Sequence, residues 1–181
     1  MDKYDIKFTR LQNRIFRLLC VKLGEKLNQR EIAKILGVSA TAVAKALVLL
    51  VEDKVVVMEK FGKMNLIEVE LNRDSDRVIE MKMVENLKMI YESEMVGFLE
   101  DAFPGAAVIL FGSYARGEDD VRSDVDIAVV GCKEKMLDLE KFDEFFEREV
   151  RVNFYDSFGG IDKYLRSNLF NGVVLAGSVE V

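Results

Sequence analysis

The chain has 181 residues, half of them hydrophobic, which is enough to bury one good core or two small ones and excludes a disordered protein. It has no histidine, and Cys20 and Cys132 lie far apart in apolar patterns, which argues against a zinc site or a disulfide framework. Because no run of about 18 apolar residues occurs and the first residues lack a signal-peptide core, we expect a cytoplasmic protein that contacts no membrane.

The net charge of −6 hides an asymmetry between two parts of the chain. Residues 1–72 contain 13 Lys and Arg against 9 Asp and Glu, whereas residues 73–181 contain 13 against 23. The first part is therefore basic and suited to a polyanion, and the second is acidic and suited to cations.

Residues 10–72 have the pattern of helices followed by a β-hairpin. A first helix is predicted from Arg10 to Leu23, and two short helices follow with a turn at Gly37 and an N-cap at Ser39. The strand-like runs VVVMEK and NLIEVEL, joined by FGKM, then form the hairpin. This order, with the phrase REIAKILGVSATAVAKALVLL inside it, resembles the winged helix-turn-helix domains of transcription regulators.

That resemblance implies that the second helix of the pair enters the major groove of double-stranded DNA while the hairpin wing lies along the backbone. Lys45 is the one basic residue of that helix, whereas base readout most often uses Arg, Asn or Gln. A winged helix that binds protein or forms a homodimer is therefore the open alternative. By the resemblance, the residues near DNA are Arg30, Lys34, Ser39, Ala40, Thr41, Lys45, Lys60 and Lys63.

One long connecting helix is predicted over residues 76–101, because apolar positions keep helical spacing up to the pair Pro104-Gly105. The expected fold class is α+β with two domains. These are a winged helix-turn-helix domain over residues 1–72 and a small mixed-sheet domain with flanking helices over residues 73–181.

The stretch FGSYARGEDDVRSDVDIAVV combines a strand-to-helix turn with two aspartates. The apolar run AAVILF predicts a buried strand before Gly112 and Ser113, where an open turn and the first helical N–H groups can hold a phosphate. Asp124 and Asp126 project from one face of the next strand, and Mg²⁺ prefers such carboxylates together with substrate phosphates. A Mg²⁺-bound or Mn²⁺-bound nucleoside triphosphate is therefore predicted, and phosphoryl transfer requires no histidine. The loop acids expected to be solvated are Glu118, Asp119 and Asp120.

Gly112-Ser113, followed after ten residues by Asp124-x-Asp126, is similar to the site of the DNA polymerase β-like nucleotidyltransferases, the minimal members in particular. The resemblance implies that the Gly-Ser turn binds the triphosphate, expected to be ATP, and that the aspartates hold the metal. It further implies transfer of AMP to a hydroxyl of a protein or small molecule with loss of pyrophosphate. Arg116, in the element ARG, joins the triphosphate site by the same resemblance.

Active members of that family place a third carboxylate on the next strand. After a helix predicted over KEKMLDLEKFDEFFERE, the strand VRVNFYD offers Asn153 there, and an amide brings neither negative charge nor a base. Glu149 shares the strand parity of Asn153 and is the alternative acid. A transcription regulator that senses Mg²⁺-nucleotide without turning it over is thus the alternative to an enzyme. The expected catalytic set is Asp124, Asp126 and Asn153.

Overall fold

The computed structural model describes residues 8–61 and 66–179. The chain divides into two compact units, Met1–Val78 and Ile79–Val181. Both units combine helices with a sheet, which confirms the predicted α+β class.

The first unit contains three helices and a small antiparallel sheet. Its elements before the division are α1 (Arg10–Val21), β1 (Leu27–Asn28), α2 (Gln29–Leu36), α3 (Ala40–Glu52), β2 (Val56–Phe61) and β3 (Leu66–Leu71). The strand order is β1-β3-β2. Ile15, Ile32 and Leu50 supply one fully buried side chain from each helix, and Gln12 Nε2 donates to the carbonyl of Ala46, which ties α1 to α3.

Local signals define the helix-turn-helix. Asn28 Oδ1 accepts hydrogen bonds from two backbone N–H groups at the start of α2, and Gly37 ends that helix with a left-handed φ of 64°. Ser39 Oγ accepts from the N–H of Ala42 at 3.1 Å and caps α3, as predicted. Among the described residues no single helix is long and apolar enough to cross a membrane. In the described part of the chain, α2 and α3 taken together are the one pair that reaches that length and composition, and the chain bends by 112° between them.

The second unit is built around a four-stranded sheet with the order β6-β5-β4-β7. Strand β4 is antiparallel to β5 and β7, whereas β5 and β6 run parallel. The central strands β4 and β5 are almost entirely buried, which explains why all their residues except Asp126 are apolar. The remaining elements are α4 (Asp76–Glu92, spanning the division), α5 (Met95–Ala102), β4 (Ala107–Phe111), α6 (Gly112–Arg116), β5 (Val125–Val130), α7 (Glu140–Phe146), β6 (Val150–Tyr155), a 3₁₀ turn (Phe158–Gly160), α8 (Lys163–Phe170) and β7 (Val173–Ala176).

The predicted connecting helix over 76–101 is wrong, because the chain breaks into α4 and α5. Glu94 adopts a left-handed φ of 61°. Ser93 Oγ donates to the carbonyl of Ile90 at 2.8 Å and accepts from the N–H of Met95 at 3.3 Å. A serine that bonds the neighbouring backbone competes with helical hydrogen bonding, so α4 ends here although the apolar spacing continues.

The helix predicted over KEKMLDLEKFDEFFERE is also much shorter than expected. Only Glu140–Phe146 is helical, and residues 133–139 form no regular element. Asp138 Oδ1 accepts from the N–H of Glu140 at 3.3 Å, and Glu147 ends the helix with a φ of 54°. The aspartate bond favours a late start, as short polar side chains do at helix ends.

Candidate functional site

The turn from β4 into α6 lies directly against the carboxylate of Asp126. Antiparallel pairing sets Phe111 opposite Asp126, and Gly112 follows with a left-handed φ of 77°. A Cβ atom at Gly112 would lie 2.7 Å from Asp126 Oδ2, and the left-handed φ at this position favours glycine. The fold therefore joins two of the sequence-predicted groups, the Gly-Ser turn and the Asp-x-Asp pair.

Asp124 and Asp126 flank the buried Val125 at the start of β5, and both side chains are partly accessible. Burial raises the pKa of the Asp126 carboxyl, and the negative charge of Asp124 raises it further. Arg151 acts in the opposite direction and lowers the pKa of Asp126. Two adjacent carboxylates repel each other, and one of them is partly desolvated. A positive charge nearby would therefore stabilise their ionised forms.

The side chain beside Asp126 on the neighbouring strand belongs to Arg151, which corrects the expected placement of Asn153. The parallel register pairs Asp126 with Arg151 and Ala128 with Asn153. Arg151 Nη1 lies 2.7 Å from Asp124 Oδ2. Strand parity predicts which face of the sheet a side chain occupies but not its position along the strand. The residue beside Asp126 is therefore Arg151, two residues before the predicted Asn153.

Asn153 and Glu149 have other partners. Asn153 Nδ2 donates to the carbonyl of Ile127 at 3.4 Å. Glu149 Oε2 lies 3.0 Å from Arg151 Nη2, and this hydrogen bond lowers the pKa of Glu149 and raises that of Arg151. Glu149, the alternative third acid, thus interacts with the guanidinium. We refer to Asp124, Asp126, Glu149 and Arg151 as the open cluster.

The carboxylates fit one divalent cation better than two. Within residues 8–61 and 66–179, no three His, Cys, Asp or Glu side chains converge as a metal site. Asp124 and Asp126 match the one or two carboxylates that Mg²⁺ takes beside substrate phosphates. A second cation would need a third carboxylate on the neighbouring strand. The residue paired with Asp126 on that strand is the positively charged Arg151.

Arg116 lies at the end of α6, and its side chain is exposed. Its Nε donates to Glu118 Oε2 at 2.7 Å, and both side chains are about half exposed. Glu118 is therefore exposed as expected, whereas the role of Arg116 toward the triphosphate stays a prediction.

Asp119, expected to be solvated, is fully buried. Its Oδ1 forms an ion pair with Lys82 and accepts from Asn86 Nδ2 at 2.7 Å, while Oδ2 lies 2.7 Å from Arg148 Nη1. These donors replace water, so the acid is satisfied inside the domain. The sequence interpretation missed them because they lie 29 to 37 residues away along the chain. We refer to Lys82, Asn86, Asp119 and Arg148 as the buried cluster.

Most residues predicted to lie near DNA are on the surface of the first unit. Lys60 belongs to β2, but its side chain and the whole of Lys63 lie outside what the structure describes. The exposed residues of this set are Arg30, Lys34, Ser39, Ala40, Thr41 and Lys45.

Two family models match separate parts of the chain. "Nucleotidyltransferase domain" matches residues 92–175, and "Bacterial regulatory proteins, gntR family" matches residues 9–61. The chain carries a gntR-type winged-helix DNA-binding domain and a nucleotidyltransferase domain. Both resemblances drawn from the sequence motifs are thereby confirmed. The nucleotidyltransferase match includes the turn at Gly112 and the open cluster.

Several solved structures are similar to somewhat more than half of the chain. The adhesin competence repressor AdcR from Streptococcus pyogenes is 22% identical with a TM-score of 0.43, over 54% of this chain and 69% of that one. MepR from S. aureus in a DNA complex is 19% identical with a TM-score of 0.40, over 52% and 77%. Wild-type ZitR from Lactococcus lactis in complex with DNA is 20% identical with a TM-score of 0.42, over 56% and 66%. No curated protein matches the chain.

Proposed function

We propose that this protein is a DNA-binding transcription regulator whose nucleotidyltransferase domain binds a nucleoside triphosphate, expected to be ATP, together with Mg²⁺ or Mn²⁺. The observation that carries the proposal is the approach of Gly112 to Asp126, with a Cβ position 2.7 Å from Oδ2. It sets a turn suited to phosphate directly beside a carboxylate pair suited to a cation.

Each group has a distinct role in binding. The open turn at Gly112 lets a phosphate approach the backbone, and Ser113 offers a hydroxyl and an amide as donors. Asp124 and Asp126 would hold the divalent cation, whose contribution is to neutralise phosphate charge. Without the cation, two carboxylates would repel the triphosphate.

Arg151 favours sensing over transfer. A transferase needs to activate the attacking hydroxyl, and a guanidinium, which stays protonated, cannot accept that proton. Transfer of AMP to a hydroxyl of a protein or small molecule is the second candidate, favoured by the family match and the intact Gly-Ser and Asp-x-Asp pattern.

Duplex DNA is the partner of the winged-helix domain in this proposal. The gntR family match and the exposed Arg30, Lys34 and Lys45 support it. Phosphate contacts should dominate, so affinity for duplex DNA should fall steeply with salt. Lys45→Glu should weaken binding in fluorescence anisotropy. Absence of binding even at low salt would favour the alternative, a protein-binding winged helix or homodimer.

Calorimetric titration of the full chain with α,β-methylene-ATP tests nucleotide binding. Binding is expected with Mg²⁺ and not without it. Ser113→Ala should weaken affinity about tenfold, the scale of one lost hydrogen bond. Ser167→Ala, at an exposed serine of α8, is the matched control and should bind like wild type. Equal affinity with and without Mg²⁺, or no binding in either, would contradict the proposal.

A further inference from the structure

Arg151 provides the only positive charge of the open cluster. Its guanidinium lies 2.7 Å from Asp124 Oδ2 and 3.0 Å from Glu149 Oε2. The parallel register also places Arg151 directly beside Asp126. Arg151 therefore pairs with two acids, Asp124 and Glu149, and lies beside a third, Asp126.

A guanidinium and a divalent cation compete for Asp124. Mg²⁺ needs carboxylate oxygens at about 2.1 Å in near-octahedral geometry, and an oxygen engaged by a guanidinium is a poor ligand. The guanidinium of Arg151 stays protonated, and its positive charge beside the site also repels the metal ion. The free protein should therefore bind divalent cations weakly.

Arg151 is able to exchange partners. Its side chain is 53% exposed and that of Asp124 is 26% exposed, and ion pairs this accessible contribute little to stability. The planar fork of arginine pairs with phosphate as well as with carboxylate, often through two parallel hydrogen bonds. A triphosphate in the turn at Gly112 would offer it such oxygens.

We propose that Arg151 is a phosphate-binding residue that makes cation binding conditional on nucleotide. In the free protein it occupies Asp124, and on binding its guanidinium moves to a phosphate oxygen, which releases Asp124 to the cation. Nucleotide and cation then raise each other's affinity, as linkage requires. This inference rests on the proposed function and adds an order of events to it.

The test is Mn²⁺ binding to the full chain, measured from the electron paramagnetic resonance signal of free Mn²⁺, in wild type and Arg151→Gln. Without nucleotide, Arg151→Gln should bind Mn²⁺ at least tenfold more tightly than wild type. With saturating Mn²⁺, it should bind α,β-methylene-ATP at least tenfold more weakly. Arg151→Lys keeps the charge without the fork, so its Mn²⁺ affinity should resemble wild type while its nucleotide affinity falls.

Asp126→Asn, added to Arg151→Gln, should abolish the gain in Mn²⁺ affinity and so locate the bound ion. Equal Mn²⁺ affinity of wild type and Arg151→Gln would overturn the inference, and so would unchanged nucleotide affinity in Arg151→Gln. These outcomes differ from failure of the proposed function, in which wild type with Mn²⁺ binds no nucleotide although Arg151→Gln still responds to Mn²⁺ alone.

Discussion

The nucleotidyltransferase domain contains two clusters of charged side chains in opposite surroundings. In the buried cluster, Asp119 is enclosed by Lys82 and Arg148, and all three side chains are at most 4% exposed. In the open cluster, three acids face one arginine that is 53% exposed. One cluster is closed to solvent, and the other is open to it.

The difference indicates how charge is used in this domain. A buried charge is tolerated only with its hydrogen bonds made, so the buried cluster fixes the backbone between α6 and β5. An exposed cluster keeps its charges in contact with water, so its free-energy cost of desolvation is smaller. Its excess negative charge attracts cations. Stability should therefore depend on the buried cluster, and ligand binding on the open one.

The largest effect is expected from Asp119→Ala. Removing this acid takes away the carboxylate that pairs with both Lys82 and Arg148 inside the domain, and breaking such a buried pair costs about 3–5 kcal/mol of unfolding free energy. Urea denaturation measures the loss. Glu118→Ala, at the adjacent exposed acid, is the control and should change stability by less than about 0.5 kcal/mol. Similar losses in the two variants would remove the distinction between the clusters.

Two glycines of the same domain should separate stability from binding. Gly117 has a φ of 71°, and a Cβ there would lie 2.7 Å from the backbone nitrogen of Met83, so Gly117→Ala should cost about 2–4 kcal/mol. Gly112→Ala meets only the end of the Asp126 side chain, so it should cost about 1–2 kcal/mol from its backbone conformation. Thermal denaturation and calorimetry with α,β-methylene-ATP check both. Gly112→Ala should lose nucleotide binding, and retained wild-type affinity would contradict the site.

The smallest effect is expected from Asp126→Asn, which should stabilise the protein by less than about 1 kcal/mol at neutral pH. The folded-state pKa of Asp126 is raised above its ordinary value of 3.8, so the folded state binds the proton more tightly than the unfolded state. The free energy of unfolding should therefore fall as pH rises from the ordinary pKa of 3.8 through the raised pKa of the folded state. Asp126→Asn should remove this fall. Melting temperatures across acidic and neutral pH measure it, with Asp101→Asn, an exposed acid of α5, as control. A lower melting temperature for Asp126→Asn at neutral pH would contradict the assignment.

Local signals made much of the fold predictable. Gly37 and Ser39 act through their own backbone and side chain, so the helix-turn-helix was readable from the sequence. The turn at Gly112 was likewise indicated by an apolar strand followed by small residues. Family resemblance added the two domain types, which the family models confirm.

Long-range partners were not predictable in the same way. The sequence predicts that Asp119 is a solvated loop acid, because no residue close to it along the chain indicates that Lys82 and Arg148 pair with it. Arg151 was overlooked in favour of Asn153, because a shift of two residues keeps a side chain on the same face and only the sheet register distinguishes the positions. The break at Ser93 depends on one side-chain hydrogen bond that helical spacing does not reveal.

The central proposal is that the nucleotidyltransferase domain would bind a nucleoside triphosphate without transferring the nucleotide, because Arg151 stands beside Asp126 where a third acid is expected. Pyrophosphate release from labelled ATP with Mg²⁺ or Mn²⁺, together with label on protein, tests it most directly. Wild type should bind ATP yet release pyrophosphate slowly or not at all, and Arg151→Asp, compared at saturating ATP because its affinity for nucleotide falls, should release it faster. Robust release by wild type, abolished by Asp124→Ala and not increased by Arg151→Asp, would contradict the claim and establish the protein as a transferase.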